Sequence, residues 1–357
     1  MSRSYRIAVI GGDGIGPEVV REGLRVLERV ASIEGFSIAP TKYPFGAEHY
    51  LKTKEIFPES AFSEVKQHDA ILLGAIGDPR IEVGLLEFGI IAKMRFELDL
   101  FVNLRPVKLY AEHLCPLKDV RPEQVDFVVV RENTEDAYAG MRGFFKKGTP
   151  DEIATQEIIF TRKGVERVIR YAFELARSRP RKKLTLIDKA NAVRAMDLWT
   201  RVFAEVGAEY PDVAREHNYI DAACMYVVRN PEGFDTAVTS NMFGDIFTDL
   251  SAMIQGGLGI AASGNIHPGA VSLFEPIHGS APKYANQNVA NPIATIMAVQ
   301  MMLDYLGEKS AAARIESAVA GLLRSKRLPS LGTDSGFRTD QIGDLVLGEL
   351  TGAEAKA

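Results

Sequence analysis

Two aspartates define the chemistry most directly. Asp245 and Asp249 stand one helical turn apart in Asn241-Met242-Phe243-Gly244-Asp245-Ile246-Phe247-Thr248-Asp249. On a helix that spacing puts both carboxylates on one face, where they repel unless a cation lies between them. Carboxylate oxygens suit Mg²⁺ or Mn²⁺. Asp221, after the strand-like Asn218-Tyr219-Ile220, is a candidate third ligand. The alternative is a capping Asp245 and a solvated Asp249. Three arginines offer anion recognition: Arg95 in Lys93-Met94-Arg95-Phe96-Glu97, Arg105 in Asn103-Leu104-Arg105-Pro106, and Arg131 in Val130-Arg131-Glu132-Asn133. Their guanidinium forks match carboxylates bidentately. Each also has an acidic neighbour with which a plain ion pair would suffice. Lys189, in Ile187-Asp188-Lys189-Ala190-Asn191, follows an apolar run. A lysine near other cations can be brought towards neutrality and act as a base. Tyr138, just beyond Arg131, could return a proton.

These groups need elements to position them. Short, almost continuously apolar runs read as strands covered on both faces: Ile7 to Ile10, Ala70 to Leu73, Phe127 to Val130, Leu184 to Ile187 and Ala237 to Thr239. Helical stripes lie between them. Pro17 and Glu18 open one with Val20, Leu24, Leu27 and Ala31 on a face; another, from about Lys163, carries Val165, Val168, Ile169, Ala172 and Ala176. Strand–helix alternation means an α/β fold. Arg131 and Lys189 then sit at the carboxyl ends of strands, where open α/β sheets form ligand crevices. Gly11-Gly12-Asp13-Gly14-Ile15-Gly16-Pro17 follows the first strand. It is not the dinucleotide fingerprint, because Pro17 occupies the place of the last glycine and no acid ends a second strand at the required distance. A tight turn and a ligand loop both remain open for it. Glu275-Pro276-Ile277-His278-Gly279-Ser280-Ala281-Pro282-Lys283-Tyr284 reads as a small-residue turn through which a flat ligand could approach the backbone, or as a plain connection. The stretch from Phe144 to Thr161 is a polar excursion with an extended end.

Composition narrows the field. The 357 residues suit two domains, and 46% apolar with 25% charged residues is a globular balance. A formal charge of -5 gives no global field for nucleic acid or an anionic membrane. Cys115 and Cys224 are too few for a disulfide framework or a zinc pattern. A reducing, cytoplasmic compartment is expected, with no signal peptide before the first strand. Val289 to Leu306 is interrupted by Asn291, Pro292, Gln300 and Asp304, so it reads as a core helix and not a membrane span.

Taken together, the motifs resemble, in order and over nearly the whole chain, the β-hydroxyacid oxidative decarboxylases: isopropylmalate, isocitrate, homoisocitrate, tartrate and D-malate dehydrogenases. The resemblance implies a two-domain isopropylmalate-dehydrogenase-like α/β fold that is not a Rossmann fold. A cofactor domain would comprise residues 1–104 and 256–357. A substrate, metal and dimerisation domain would comprise residues 105–255, with an extended arm at about 144–161. It also implies roles. Arg95, Arg105 and Arg131 would hold the malate carboxylates. Asp221 from a partner subunit would join Asp245 and Asp249 at Mg²⁺ or Mn²⁺ and lie against the substrate. Tyr138 would be the acid and Lys189 the base, the latter also from the partner. His278, Gly279, Ser280, Ala281, Lys283, Tyr284 and Asn291 would take the adenosine end of the cofactor. A homodimer or tetramer, acting on a small molecule, follows. An active enzyme is favoured over a non-catalytic regulatory subunit, because the catalytic set is intact.

Substrate and cofactor expectations rest on departures within that resemblance. Isocitrate enzymes place Ser and Asn at the positions of Gly89 and Ile91 to bind a third carboxylate. Here Leu85, Leu86, Phe88, Ile90, Ile91 and Ala92 make an apolar wall, which buries an isopropyl group but not a carboxylate. The expected reaction is 3-isopropylmalate to 2-oxoisocaproate, a step of leucine biosynthesis. Arg131-Glu132-Asn133-Thr134-Glu135 looks more like the isocitrate, tartrate and D-malate enzymes than the usual isopropylmalate form, and Ala192 is smaller than the Val that isopropylmalate enzymes often carry there, so tartrate or D-malate dehydrogenase is the runner-up, ahead of isocitrate and homoisocitrate. NAD⁺ is the expected cofactor. Lys283-Tyr284 resembles the pair of NADP-dependent isocitrate enzymes, so NADP⁺ is expected to be tolerated as well.

Overall fold

The computed structural model describes residues 3–352. The chain divides into two compact units: residues 1–100, 109–122 and 252–357 form one, and residues 101–108 and 123–251 the other. The sequence reading placed residues 109–122 in the second domain; here they return to the first.

In the first unit the strands run in the order Ser37–Tyr43, Ser4–Gly12, Ala70–Ala75, Ser272–Pro276 and Ala262–Ile266. All neighbours are parallel except the last pair. Ile7, Ala8, Ile10 and Ile71 to Leu73 are wholly buried, as their apolar runs require. Helix Gly16–Glu34 begins with Pro17 in its first turn and stops at Gly35, whose φ of 72° closes the left-handed cap. Helix Ile293–Tyr305 is buried all round, so the expectation of a core helix holds. Among the described residues no helix is long and apolar enough to cross a membrane. Glu275 and Pro276, expected in a turn, instead end a buried strand.

In the second unit the order is Val102–Lys108, Asp126–Glu132, Thr236–Thr239, Lys183–Asp188 and Ala214–Tyr219. Only the first pair is antiparallel. Helix Arg162–Ser178 starts at Thr161, whose side chain accepts the Gly164 N–H, and buries the predicted stripe from Val165 to Ala176. The polar excursion is a two-stranded ribbon, Arg142–Phe145 against Ile153–Gln156. Phe144, Phe145 and Ile153 on it are exposed. The antiparallel strands and the missing glycine fingerprint together separate this architecture from a Rossmann fold.

Candidate functional site

The second unit gathers five of the expected residues. Antiparallel pairing puts Asn103 opposite Arg131 and Arg105 opposite Val129. Arg105 Nε donates to Asn103 Oδ1 at 2.7 Å and one terminal nitrogen to Thr248 Oγ1 at 2.6 Å. Arg131, buried at the end of its strand, donates through Nε to the Asn241 carbonyl at 2.8 Å. Both guanidinium groups then meet helix Asn241–Ile254. Arg131 lies 2.6 Å and Arg105 3.3 Å from Asp245 Oδ1, and Arg105 lies 3.7 Å from Asp249 Oδ1. Tyr138 Oη donates to Asp245 Oδ2 at 3.2 Å. Its ring faces the Arg131 guanidinium, 5.8 Å from the ring centre.

The electrostatics fit a proton donor and a cation ligand pair. Burial raises the Tyr138 phenol, the Asp245 charge adds to this, and Arg131 opposes it. The phenol therefore stays protonated at neutral pH. Burial and the Asp245 charge also push the Asp249 carboxyl up. A divalent cation would relieve that repulsion, and the all-oxygen donor set suits Mg²⁺ or Mn²⁺.

Lys189 and Asp221 meet each other elsewhere in the same unit. Lys189 Nζ donates to Asp221 Oδ1 at 2.7 Å, and this pairing holds the Asp221 carboxyl below its usual range. Beneath them, buried Asp188 accepts bonds from His217 Nε2, Thr200 Oγ1 and the Ala190 N–H, which fixes the strand end. Among the described residues, no group of three His, Cys, Asp or Glu side chains could hold a metal. Within one chain, then, Asp221 does not join Asp245 and Asp249.

Arg95 and the expected cofactor residues belong to the first unit. Arg95 donates to Asn265 Oδ1 at 2.9 Å and to buried Glu275 at 3.1 Å. Leu86 and Ile90, expected in an apolar wall, are packed in the core with Met94; Ile90 is wholly buried, while Leu86 still borders a cavity beside Gly279 and Ser280. Leu85 and Ile91 are only partly buried against that core, while Phe88 is exposed. A Cβ on Gly89 would lie 2.6 Å from the Ile56 side chain.

The glycine turn and the 278–291 stretch pack against each other. A Cβ on Gly14, at φ +58°, would fall 1.9 Å from the Ser280 carbonyl, which accepts the Ile15 N–H. Ser280 Oγ donates to Gly77. Asn291 spends its amide on Leu331 and on the Ile293 N–H, a shaping role and not an open one. Burial pushes the His278 imidazole down towards neutrality, and its Nε2 is buried with no hydrogen-bond partner. No atom lies within 4 Å of where a Gly279 side chain would begin. A cleft of about 460 Å³ runs past Gly12, Asp13, Pro282 and Asn286, large enough for part of a dinucleotide. Lys283 is exposed, its Nζ 4.6 Å from the centre of the Tyr284 ring. Sequence reasoning missed Asn103, Thr248, Asn241, Asn265 and Gly244. Only Asn241, one turn before Asp245, carried a local signal.

Two buried arginine forks on adjacent strands of a mixed sheet, beside paired carboxylates and a protonated phenol, define an α/β enzyme for a small carboxylic acid. A family model described as isocitrate/isopropylmalate dehydrogenase matches residues 6–346. The chain is 52% identical over 347 residues to 3-isopropylmalate dehydrogenase of Thermobifida fusca, covering 96% of this chain and 97% of that one. It is 49% identical over 346 residues to the protein of the same name from Corynebacterium glutamicum, covering 96% and 98%. Its fold is similar to the crystal structure of isocitrate dehydrogenase from Methylococcus capsulatus, with a TM-score of 0.88, 36% identity and coverage of 97% and 99%. The chain belongs to the isocitrate/isopropylmalate dehydrogenase family.

Proposed function

We propose that the chain is a cytoplasmic, NAD⁺-dependent enzyme that oxidatively decarboxylates 3-isopropylmalate to 2-oxoisocaproate, in leucine biosynthesis. The observation that carries the reading is the convergence of Arg105, Arg131 and Tyr138 on the Asp245–Asp249 helix face. The name shared by the two curated relatives, both near half identity, supports the substrate.

Asp245 and Asp249 hold Mg²⁺ or Mn²⁺, with Asp221 of a second copy as third ligand. His278, Gly279, Ser280, Ala281, Lys283 and Tyr284 hold the adenosine end of the dinucleotide, with Asn291 shaping the loop. When bound, the cation supplies Lewis acidity and the nicotinamide a hydride acceptor. Arg105 and Arg131 bind the malate carboxylates, a role also assigned to Arg95. Lys189 Nζ of the second copy takes the hydroxyl proton. Tyr138 Oη delivers a proton to the carbon that CO₂ leaves.

The homodimer has support in exposed apolar side chains. Met225 on helix Ile220–Arg229 is 69% exposed and Ile246 on helix Asn241–Ile254 is 56% exposed. Phe144 and Phe145 on the ribbon are exposed as well. The unpaired, partly buried Cys115 and Cys224 suit a reducing compartment.

Substrate choice rests on Gly89 and Ile91. A serine at 89 would overlap Ile56, so no third-carboxylate reader fits there without repacking. Ile91, Leu85 and Phe88 offer apolar surface instead, and each methylene buried contributes about 0.8 kcal/mol. The test is a turnover panel of 3-isopropylmalate, isocitrate, homoisocitrate, D-malate and tartrate, each with NAD⁺ and NADP⁺. Highest kcat/KM is expected with 3-isopropylmalate and NAD⁺, and a chelator should abolish it. A higher value for isocitrate would overturn the substrate assignment.

A further inference from the structure

The segment from Arg131 to Tyr138 contains two buried acids with no part in the proposed chemistry, Glu132 and Asp136, and only Asp136 reaches the helix that carries Asp245. Asp136 is 1% exposed and holds a φ of +73°, a left-handed backbone that glycine adopts without strain. The chain carries aspartate there, and both of its carboxylate oxygens are used. Oδ1 accepts the Ala137 N–H at 2.7 Å, at the start of the tight turn Asp136–Ala139 that carries Tyr138. Oδ2 accepts the Met242 N–H at 2.9 Å, in the first turn of helix Asn241–Ile254, which carries Asp245 and Asp249. The Asp136 N–H itself donates to Ile159 where the ribbon returns.

We propose that Asp136 is a positioning residue that clasps the Tyr138 turn to the N-terminus of the metal-ligand helix. A helix start leaves N–H groups without intrahelical partners, and an anion is the favoured acceptor for them. This anion comes from another segment, so satisfying the helix also fixes where the phenol stands. The 3.2 Å contact between Tyr138 Oη and Asp245 Oδ2 is the outcome of that clasp. Arg131 bridges the same two segments, but it is committed to ligand binding; Asp136 is free to act only as a brace.

The inference rests on the roles given above to Tyr138 and Asp245, and its test separates the two. Asp136→Gly keeps the backbone conformation and removes both bonds. With 3-isopropylmalate, NAD⁺ and Mg²⁺, kcat should fall about tenfold or more while KM stays within about twofold, the pattern of a lost transition-state contact. The solvent isotope effect on kcat should rise as proton delivery becomes limiting. The melting temperature should move by only a few degrees. Asp136→Asn keeps one oxygen acceptor and should recover part of kcat. Wild-type kcat in both variants would overturn the proposal. So would a loss of kcat matched by a collapse of the melting transition in Asp136→Gly with no recovery in Asp136→Asn. Tyr138→Phe and Asp245→Asn serve as controls: if these are fully active, the functional assignment fails, whereas if only Asp136→Gly is active, the clasp alone fails.

Discussion

Gly244 shows how much a single hydrogen can decide. In an exposed helix, alanine would be the better residue by about 1 kcal/mol. Here a Cβ would stand 2.5 Å from Arg131 Cγ, and that arginine is buried against the strand end. Gly244→Ala should therefore displace Arg131 and lower kcat/KM by at least about tenfold, or ~1.4 kcal/mol. Steady-state kinetics beside a melting curve would check this; unchanged kcat/KM would mean that the arginine has room to move. Lys283 tests a different point. An ammonium cannot accept a ribose hydroxyl bond but attracts a phosphate dianion. Lys283→Asp should lower the NADP⁺/NAD⁺ ratio of kcat/KM roughly ten- to hundredfold, the worth of one charge-assisted contact of about 1.5–3 kcal/mol. A ratio that stays put would show that Lys283 does not read the 2′ position. The side chains proposed to react were candidates from the sequence alone, because acids, bases and arginine forks declare their chemistry by type. Gly244 was not, because its reason is the path of a side chain 113 positions earlier in the chain.

Elements were legible where burial is matched by a continuous apolar run, and not in the buried strands Ala262–Ile266 and Ser272–Pro276, whose Ser, Gly, Asn, Glu and Pro interrupt it. The five apolar runs became strands because both their faces are covered. Ser37–Tyr43 and Ala214–Tyr219 are exposed edge strands, and their polar sequences carry no such signal. The helical stretch before Arg95 was half read: its apolar residues are real, but Leu86, Ile90 and Met94 repeat every fourth position and face the core. The segment after Arg131 has its own titration. Glu132 is buried, accepts bonds from Thr134 and Glu135, and its carboxyl is pushed by burial from 4.5 up to about 7. A raised carboxyl favours the folded state while it is protonated. Its contribution is full below pH 4.5 and is lost as pH climbs through 7. Glu132→Gln cannot titrate, so the melting temperature of the variant relative to the parent should climb by a few degrees between about pH 5 and pH 8. A difference that does not change with pH would show that Glu132 is not the titrating group.

At the scale of the whole molecule, the separation of Lys189 and Asp221 from Asp245 makes a sharp demand. If each site draws Lys189 from one copy and Asp245 from the other, Lys189→Met and Asp245→Asn are each inactive alone. Unfolded together and refolded, they should regain about a quarter of parental activity, since half the dimers are mixed and each has one intact site. No recovery on mixing would place the whole site within one copy. The domain boundary was only partly legible, because no change of composition marks it. The first unit is drawn from three separate stretches, and strand Ser272–Pro276 pairs with Ala70–Ala75 some two hundred residues earlier. That arrangement has a consequence for synthesis on the ribosome. Residues 123–251 can close their own core as soon as they emerge, together with the strand Val102–Lys108 already made. The leading hundred residues cannot, because the strand that must lie beside Ala70–Ala75 and the helix buried behind it are still untranslated. The part made first is finished last, and during that interval its apolar strands lack the neighbours that cover them.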